Sequence, residues 1–207
     1  ILQQTYKNFE LIIIDDFSSD NSSKIISKFK DKRIKFYKFK KRFGRTKALN
    51  FGLKKCNSQL ISIQDADDIS NKYRLIKTLT AFNKDKTIGL VFSGYQVVDE
   101  NEKIKKKFNK QNFNNFYSKL KYKNLIPHSS VTFKKNAFKK KPFFYDEKYL
   151  YAQDYNLILR FLKFSKLFLI NNDLVKIRNH IKNMSNIKIY KKIKIQEDIK
   201  LLKFSER

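Results

Sequence analysis

Ser62-Ile63-Gln64-Asp65-Ala66-Asp67-Asp68-Ile69 sets three carboxylates within four residues, at the end of the short apolar run Leu60-Ile61-Ser62-Ile63. That run reads as a buried strand. Acids clustered at such a strand end repel one another and lose hydration at a cost, unless something positive sits among them. An oxygen-rich cluster suits a hard divalent cation. Magnesium in particular binds through one or two carboxylates together with substrate phosphates. The octet alone serves equally as a turn followed by a helix cap, with Asp68 or Ser70 capping. Its surroundings have to decide.

Upstream, Phe9 to Ile14 is a β-branched run that ends in Asp15-Asp16 and reads as a buried parallel strand. Ser18 to Ser22 carries turn and N-cap chemistry, and Ile25, Ile26 and Phe29 then recur at helical spacing. Ile34 and Phe36 mark a second strand. Gly44 breaks the chain, and Arg45 to Lys55 reads as a helix with Ala48, Leu49 and Leu53 inward. After the octet, Leu75, Ile76, Leu79 and Phe82 line one helical face. Strand and helix therefore alternate, which predicts a parallel α/β sheet. Ligands in such sheets bind beyond the carboxyl ends of the strands, where both acidic clusters fall.

The second half changes character. Ile88 to Val98 reads as a strand, Asp99 to Glu102 as a turn and Lys103 to Phe108 as the hairpin partner. Phe113 to Tyr122 is helical in pattern, and Ile126 to Phe133 enters another strand. Ala152 to Phe164 is a helix with Leu157, Ile158, Phe161 and Leu162 inward. Lys166 to Ile170 and Val175 to His180 read as two further extended segments, and Ile187 to Phe204 as a basic amphipathic helix. One α/β domain over 1–186, followed by that helix in 187–207, is the simplest organisation.

The 207 residues suffice for one sizeable core. Lys and Arg number 47 against 19 acids, a net charge of +28, and the basic residues are spread over nearly every segment. The spread favours compositional drift over a dedicated anionic partner. Cys56 is the single cysteine, which excludes an internal disulfide, and His128 and His180 offer no zinc-site spacing. No apolar run approaches the ~18 residues of a membrane span. An EF-hand starting at Asp65 would want Gly and Glu where Ser70 and Ile76 stand, and Gly44-Arg45-Thr46-Lys47 lacks P-loop spacing.

Taken together the motifs resemble family 2 glycosyltransferases, inverting nucleotide-sugar enzymes with the GT-A fold. The match runs from Gln4-Thr5-Tyr6-Lys7-Asn8-Phe9 through Asp15-Asp16, Ser18, Asp20 and Asn21. It continues with Ala48-Leu49-Asn50-Phe51-Gly52-Leu53, Asp65-Ala66-Asp67-Asp68, Gln153-Asp154-Tyr155 and Arg178-Asn179-His180. The resemblance implies a Rossmann-like, mixed but mostly parallel sheet with helices on both faces. By the same resemblance Asp16 contacts the nucleotide base, and Asp65 and Asp67, with Asp68 beside them, hold Mg²⁺ or Mn²⁺ and through it the donor diphosphate. Asp154 matches the general base, and Arg178 and His180 match a motif near the donor site. The implied partners are a nucleotide-sugar donor and a saccharide or lipid-linked acceptor. The implied setting is cell-envelope polysaccharide or glycoconjugate synthesis, in the cytoplasm and peripheral to the membrane.

Read without the resemblance, Asp154 is equally a helix-capping acid, Asp15 and Asp16 turn residues and His180 a structural histidine. Asp154 lies three and four residues before Leu157 and Ile158, however, and so on the apolar side of its helix. His128 gets no acceptor-side role. Gln153 replaces the Glu that usually precedes the base, and Phe17 stands where Gly is common. The chain starts at Ile1, within the helix that follows the family's first strand. The expectation is of a chain lacking that strand, with exposed apolar sheet edges and a half-built base pocket. The rival reading is a non-catalytic basic protein on the same fold, binding nucleic acid or, through its tail, an anionic membrane surface. The dispersed charge and the carboxylate clusters count against nucleic acid.

Overall fold

Leu11–Asp15 (β1) and Ile34–Lys38 (β2) pair in parallel, Leu11 opposite Ile34 and Asp15 opposite Lys38, as a sheet of their own. The computed structural model describes residues 1–108, 115–137, 144–180, 193, 194, 196–198, 200 and 201. Between β1 and β2 lies the short helix Ser22–Ser27 (α1), and Arg45–Lys55 (α2) follows. Leu60–Ser62 (β3), Ile69–Ser70 (β4), Arg74–Lys84 (α3), Ile88–Val98 (β5) and Ile104–Lys107 (β6) come next. The chain continues through Phe116–Leu120 (α4), Thr132–Lys134 (β7), Gln153–Phe164 (α5) and Lys166–Arg178 (β8).

The larger sheet has the order β3-β7-β5-β8-β4, with β6 on β5. It is mixed, as expected. Its longest ladder is parallel, β5 on β8 from Ile88 to Val98, whereas β3–β7, β5–β7, β4–β8 and β5–β6 are antiparallel. The parallel alternation read from the first half therefore does not extend through the second. The two segments expected at 166–170 and 175–180 are one strand, β8, which shifts register near Ile170 and Asp173. Gly94 is required there. A Cβ on it would lie 2.6 Å from Asp173 Oδ1 and 3.0 Å from the Asn172 carbonyl.

Helices cover both faces of β5. Leu90 and Phe92 pack with Phe133, Leu157, Ile158 and Phe161 on the α5 side. Val91 and Ile88 pack with Ala81 and Phe82 of α3 on the other. Alternation along the strand sends successive side chains to opposite faces, so an uninterrupted apolar run is what two covered faces demand.

β1 fares differently. Leu11 to Ile14 are only half-buried, and Ile25 of α1 and Phe29, just past its end, are each 55% exposed. Among the described residues β1 pairs only with β2 and β3 only with β7, so each keeps one edge without a ladder. The inward face predicted for α1 is thus not buried. The helix lasts 6 residues, too short to lay a full apolar stripe on the sheet.

Residues 109–114 and 181–192, with the start of the expected helices at 113 and 187, lie outside the described residues. The described residues from 193 to 201 are helical, and Leu201 packs with Ala152, Tyr155 and Leu159.

Candidate active site

The acidic octet is a turn built around a side-chain amide. Gln64 Nε2 donates to the carbonyls of Asp65 (3.0 Å) and Asp68 (2.8 Å), and Gln64 Oε1 accepts from Ser70 Oγ and Arg74 Nη1. Arg74 is 2% exposed and also donates to the carbonyls of Ile63 (2.8 Å) and Val131 (3.2 Å). Burial lowers its pKa to about 10 against the pull of Asp68 and Asp65. It therefore stays charged at neutral pH and supplies the positive group that a buried acid cluster needs. Sequence reading missed Arg74. Its only signal is its place in the first turn of the helix after the octet.

The three acids have three different partners, the Arg45 guanidinium, the His180 ring and the Arg178 backbone N–H. Asp65 Oδ1 accepts from Arg45 Nη2 at 2.7 Å, and the Asp65 N–H donates to Ser129 Oγ at 3.0 Å. Burial pushes the Asp65 carboxyl up, but Arg45, His128 and the Ser129 hydrogen bond together outweigh it and the net shift is downward. Asp67 is the most exposed of the three, with one oxygen 3.3 Å from His180 Nε2. Asp68 accepts the Arg178 N–H at 2.9 Å. Its pKa is raised to about 6 by burial, with Asp65 and Asp67 adding to the rise and the Ser129 and Arg178 hydrogen bonds opposing it.

Among the described residues no three His, Cys, Asp or Glu side chains converge as a metal cage. Asp65, Asp67 and Asp68 diverge because each is drawn to its own partner. The donor set fits a cation that takes one or two carboxylates and leaves its other positions to phosphate and water, as Mg²⁺ does. It does not fit a three-carboxylate cage.

Arg178 ends β8 and ties the octet to the β5–β6 turn. Its Nε donates to the Asp67 carbonyl (3.1 Å) and its Nη1 to the Glu100 carbonyl (2.9 Å). Asp154 lies in the first turn of α5, where no side chain of the N-cap residue Ala152 closes the helix. It does not act as a cap itself. Its Oδ2 accepts from Asn124 Nδ2 at 3.0 Å, and its charge acts on Arg45, His128 and Tyr145. Glu197 instead holds the loop that leads into α5, accepting the N–H groups of Leu150 (2.7 Å), Tyr151 (2.9 Å) and Ala152 (2.8 Å). Nothing in the sequence near α5 points to that partner.

The first acidic pair is spent on backbone. Asp15, 4% exposed, accepts from the Ser18 N–H (2.8 Å) and the Ser23 hydroxyl. Burial raises its pKa, but these bonds win and it lies low. Asp16 takes the N–H groups of Phe43 (2.7 Å) and Gly44 (2.8 Å) and so pins the loop that opens α2. Gly44 has φ 93°, which glycine adopts without a steric penalty. Phe17, beside Asp16, has φ 65° and carries the left-handed strain that a Gly would avoid.

One turn of 3₁₀ helix, His128–Ser130, precedes β7. Pro127 starts it, and the Ser130 N–H closes it on the Pro127 carbonyl at 2.9 Å. It brings Ser129 and His128 to Asp65, so the residue given no acceptor-side role stands inside the site.

The family model described as "Glycosyl transferase family 2" matches residues 1–144. An Escherichia coli UDP-Glc:alpha-D-GlcNAc-diphosphoundecaprenol beta-1,3-glucosyltransferase is 28% identical over 206 residues, 96% of this chain and 76% of its own. The structure of TarS from S. aureus in complex with UDP superposes with a TM-score of 0.73 at 15% identity, over 98% of this chain. A Pyrobaculum calidifontis mannosyltransferase solved with GDP-Man and Mn²⁺ gives a TM-score of 0.64 at 16% identity, over 84% of this chain. This chain spans 58% of the TarS chain and 49% of the mannosyltransferase chain. The likeness to both structures establishes the GT-A fold.

Proposed function

The chain belongs to glycosyl transferase family 2, and we propose that it moves a sugar from a nucleotide-sugar donor to a hydroxyl of a saccharide or lipid-linked acceptor, with inversion at the anomeric carbon. The observation that carries this reading is that Asp65 of the octet and Asp154 of α5 act on one guanidinium, that of Arg45. Two distant parts of the sequence, the octet and α5, thus each bring a carboxylate whose charge acts on Arg45.

Inversion needs in-line attack by an acceptor hydroxyl that gives up its proton. Asp154 would take that proton, with Asn124 fixing its carboxylate. Asp67, with Asp65 or Asp68 beside it, would hold Mg²⁺ or Mn²⁺, which supplies Lewis-acid stabilisation of the charge on the leaving diphosphate. His180 and Arg178 would steady Asp67 and its turn, and Asp16 would present the loop before α2 to the nucleotide base. The solved relatives bind UDP and GDP-Man, and the E. coli relative is named for a diphosphoundecaprenol acceptor. Both support this substrate class; a place at the cytoplasmic face of a membrane is part of the same proposal.

Asp154→Asn should lower transfer from UDP- and GDP-sugars to diphosphoundecaprenol-linked acceptors by about 100- to 10,000-fold. Metal-dependent nucleotide binding should be unchanged. Retained turnover would remove Asp154 from the mechanism.

A further inference from the structure

His128 is 6% exposed and both its ring nitrogens are engaged. Arg45 Nη2 lies 3.1 Å from Nδ1, and Tyr145 Oη lies 2.8 Å from Nε2. A guanidinium only donates. Nδ1 therefore accepts, the ring is neutral, and Nε2 carries the hydrogen and donates it to Tyr145 Oη. Burial, which pushes the imidazole pKa down, agrees with a neutral ring.

Tyr145 is fixed in turn. Its N–H donates to Asn50 Oδ1 at 2.8 Å, and its carbonyl accepts from Asn50 Nδ2 at 3.0 Å. Asn50 and Arg45 both belong to α2. The contacts close a ring, from Arg45 to His128, Tyr145 and Asn50 and back along α2. Two side-chain hydrogen bonds lead out of it, from Asn50 Nδ2 to Glu147 Oε1 at 3.0 Å and, toward the octet, from Arg45 Nη2 to Asp65 Oδ1 at 2.7 Å.

We propose that His128, Tyr145 and Asn50 are positioning residues that aim the Arg45 guanidinium at Asp65 and keep it off Asp154. The inference rests on the reading of Asp154 as the base. Arginine and a carboxylate readily form a two-bonded fork. The charge of Asp154 also acts on Arg45, so a guanidinium free to turn would be drawn toward it as well as to Asp65, and pairing there would occupy the oxygen that has to receive the acceptor proton. The ring removes that freedom. His128 absorbs one Arg45 donor direction, and Tyr145, locked to Asn50, holds the imidazole plane.

The neutral ring predicts which substitutions are tolerated. Glutamine offers one acceptor and one donor, and phenylalanine offers neither. His128→Gln should keep kcat within about threefold of the parent, while His128→Phe and Tyr145→Phe should lose about 10- to 100-fold in kcat, the scale of a misplaced reacting group. Donor KM should change little, and Tyr145→Phe, which removes one hydroxyl, should remain folded by thermal melting. A Gln variant as slow as the Phe variant, or a Phe variant as fast as the parent, would overturn the proposal. The ring is also tested without turnover. Long-range ¹H–¹⁵N spectra should show His128 protonated at Nε2 and bare at Nδ1, and a hydrogen on Nδ1 would overturn the arrangement. A protein with this tautomer that transfers no sugar would count against the transferase reading instead, so the two failures are distinguishable.

Discussion

β1 and the first half of β5, Ile88 to Phe92, read alike in sequence as apolar runs, yet that half of β5 is buried on two faces and β1 on neither completely. Apolarity records what a strand can bury, and its neighbours decide what it does bury. β5 has β6, β7 and β8 as ladder partners and α3 and α5 above and below. β1 has β2, with α2 beside it. The contrast divides the site. The octet, Arg178 and Asp154 stand on the well-buried β5–β8–α5 body, and Asp16 stands on the thinner β1–β2 layer. α2 joins the two through Arg45 and Asn50.

The largest expected effect sets the core against the thin layer. Phe161, fully buried against Phe133, should cost about 3–5 kcal/mol as Phe161→Ala. Ile25→Ala, on the exposed side of α1, should stay within about 0.5 kcal/mol. Urea unfolding with a shared slope measures both, and equal losses would erase the contrast. Next comes Arg74→Met. It leaves the Ile63 carbonyl without its donor, removes one of two donors from the Val131 carbonyl and the Gln64 amide oxygen, and should cost about 3 kcal/mol by the same measurement. A neutral result would show that the octet does not depend on a buried cation.

Glu197→Gln is a smaller change, because one amide oxygen can still accept from Tyr151 and Ala152, without charge, while the Leu150 N–H loses its acceptor. About 1 kcal/mol should be lost, with faster amide exchange at Leu150 to Ala152. Exchange altered in β1 but not at those amides would contradict the role of Glu197 in holding the loop before α5. The smallest effect is at Phe17. Phe17→Gly relieves a left-handed residue while adding freedom to the unfolded chain, for a net gain of about 0.5 kcal/mol. A clear loss would mean that the exposed ring is held by a contact.

Much of the fold was legible because it is local. The helix Arg45–Lys55 and the strand Ile88–Val98 have the bounds their periodicity predicts, and the acids sit at strand ends as the alternation requires. The unity of β8 was not legible, because Asn171-Asn172-Asp173 has the composition of a turn and the parallel ladder to β5 overrides it. Arg74 beneath the octet and Glu197 on α5 were not legible either. Both act through partners that only the folded chain brings near, 57 residues away from Arg74 at Val131 and 45 from Glu197 at Ala152. Asp154 was separable from an ordinary cap only by its place on the apolar side of α5, and its bond to Asn124 agrees with that reading. The metal site was legible as a set of residue types and not as a geometry.

The division of labour between the octet and α5 is tested most directly by nucleotide binding in the presence and absence of Mn²⁺, measured calorimetrically for the protein and for Asp67→Asn and Asp154→Asn. The account predicts that Asp67→Asn loses the Mn²⁺-dependent part of binding while Asp154→Asn keeps it in full. Equal loss in both variants, or no loss in Asp67→Asn, would contradict it.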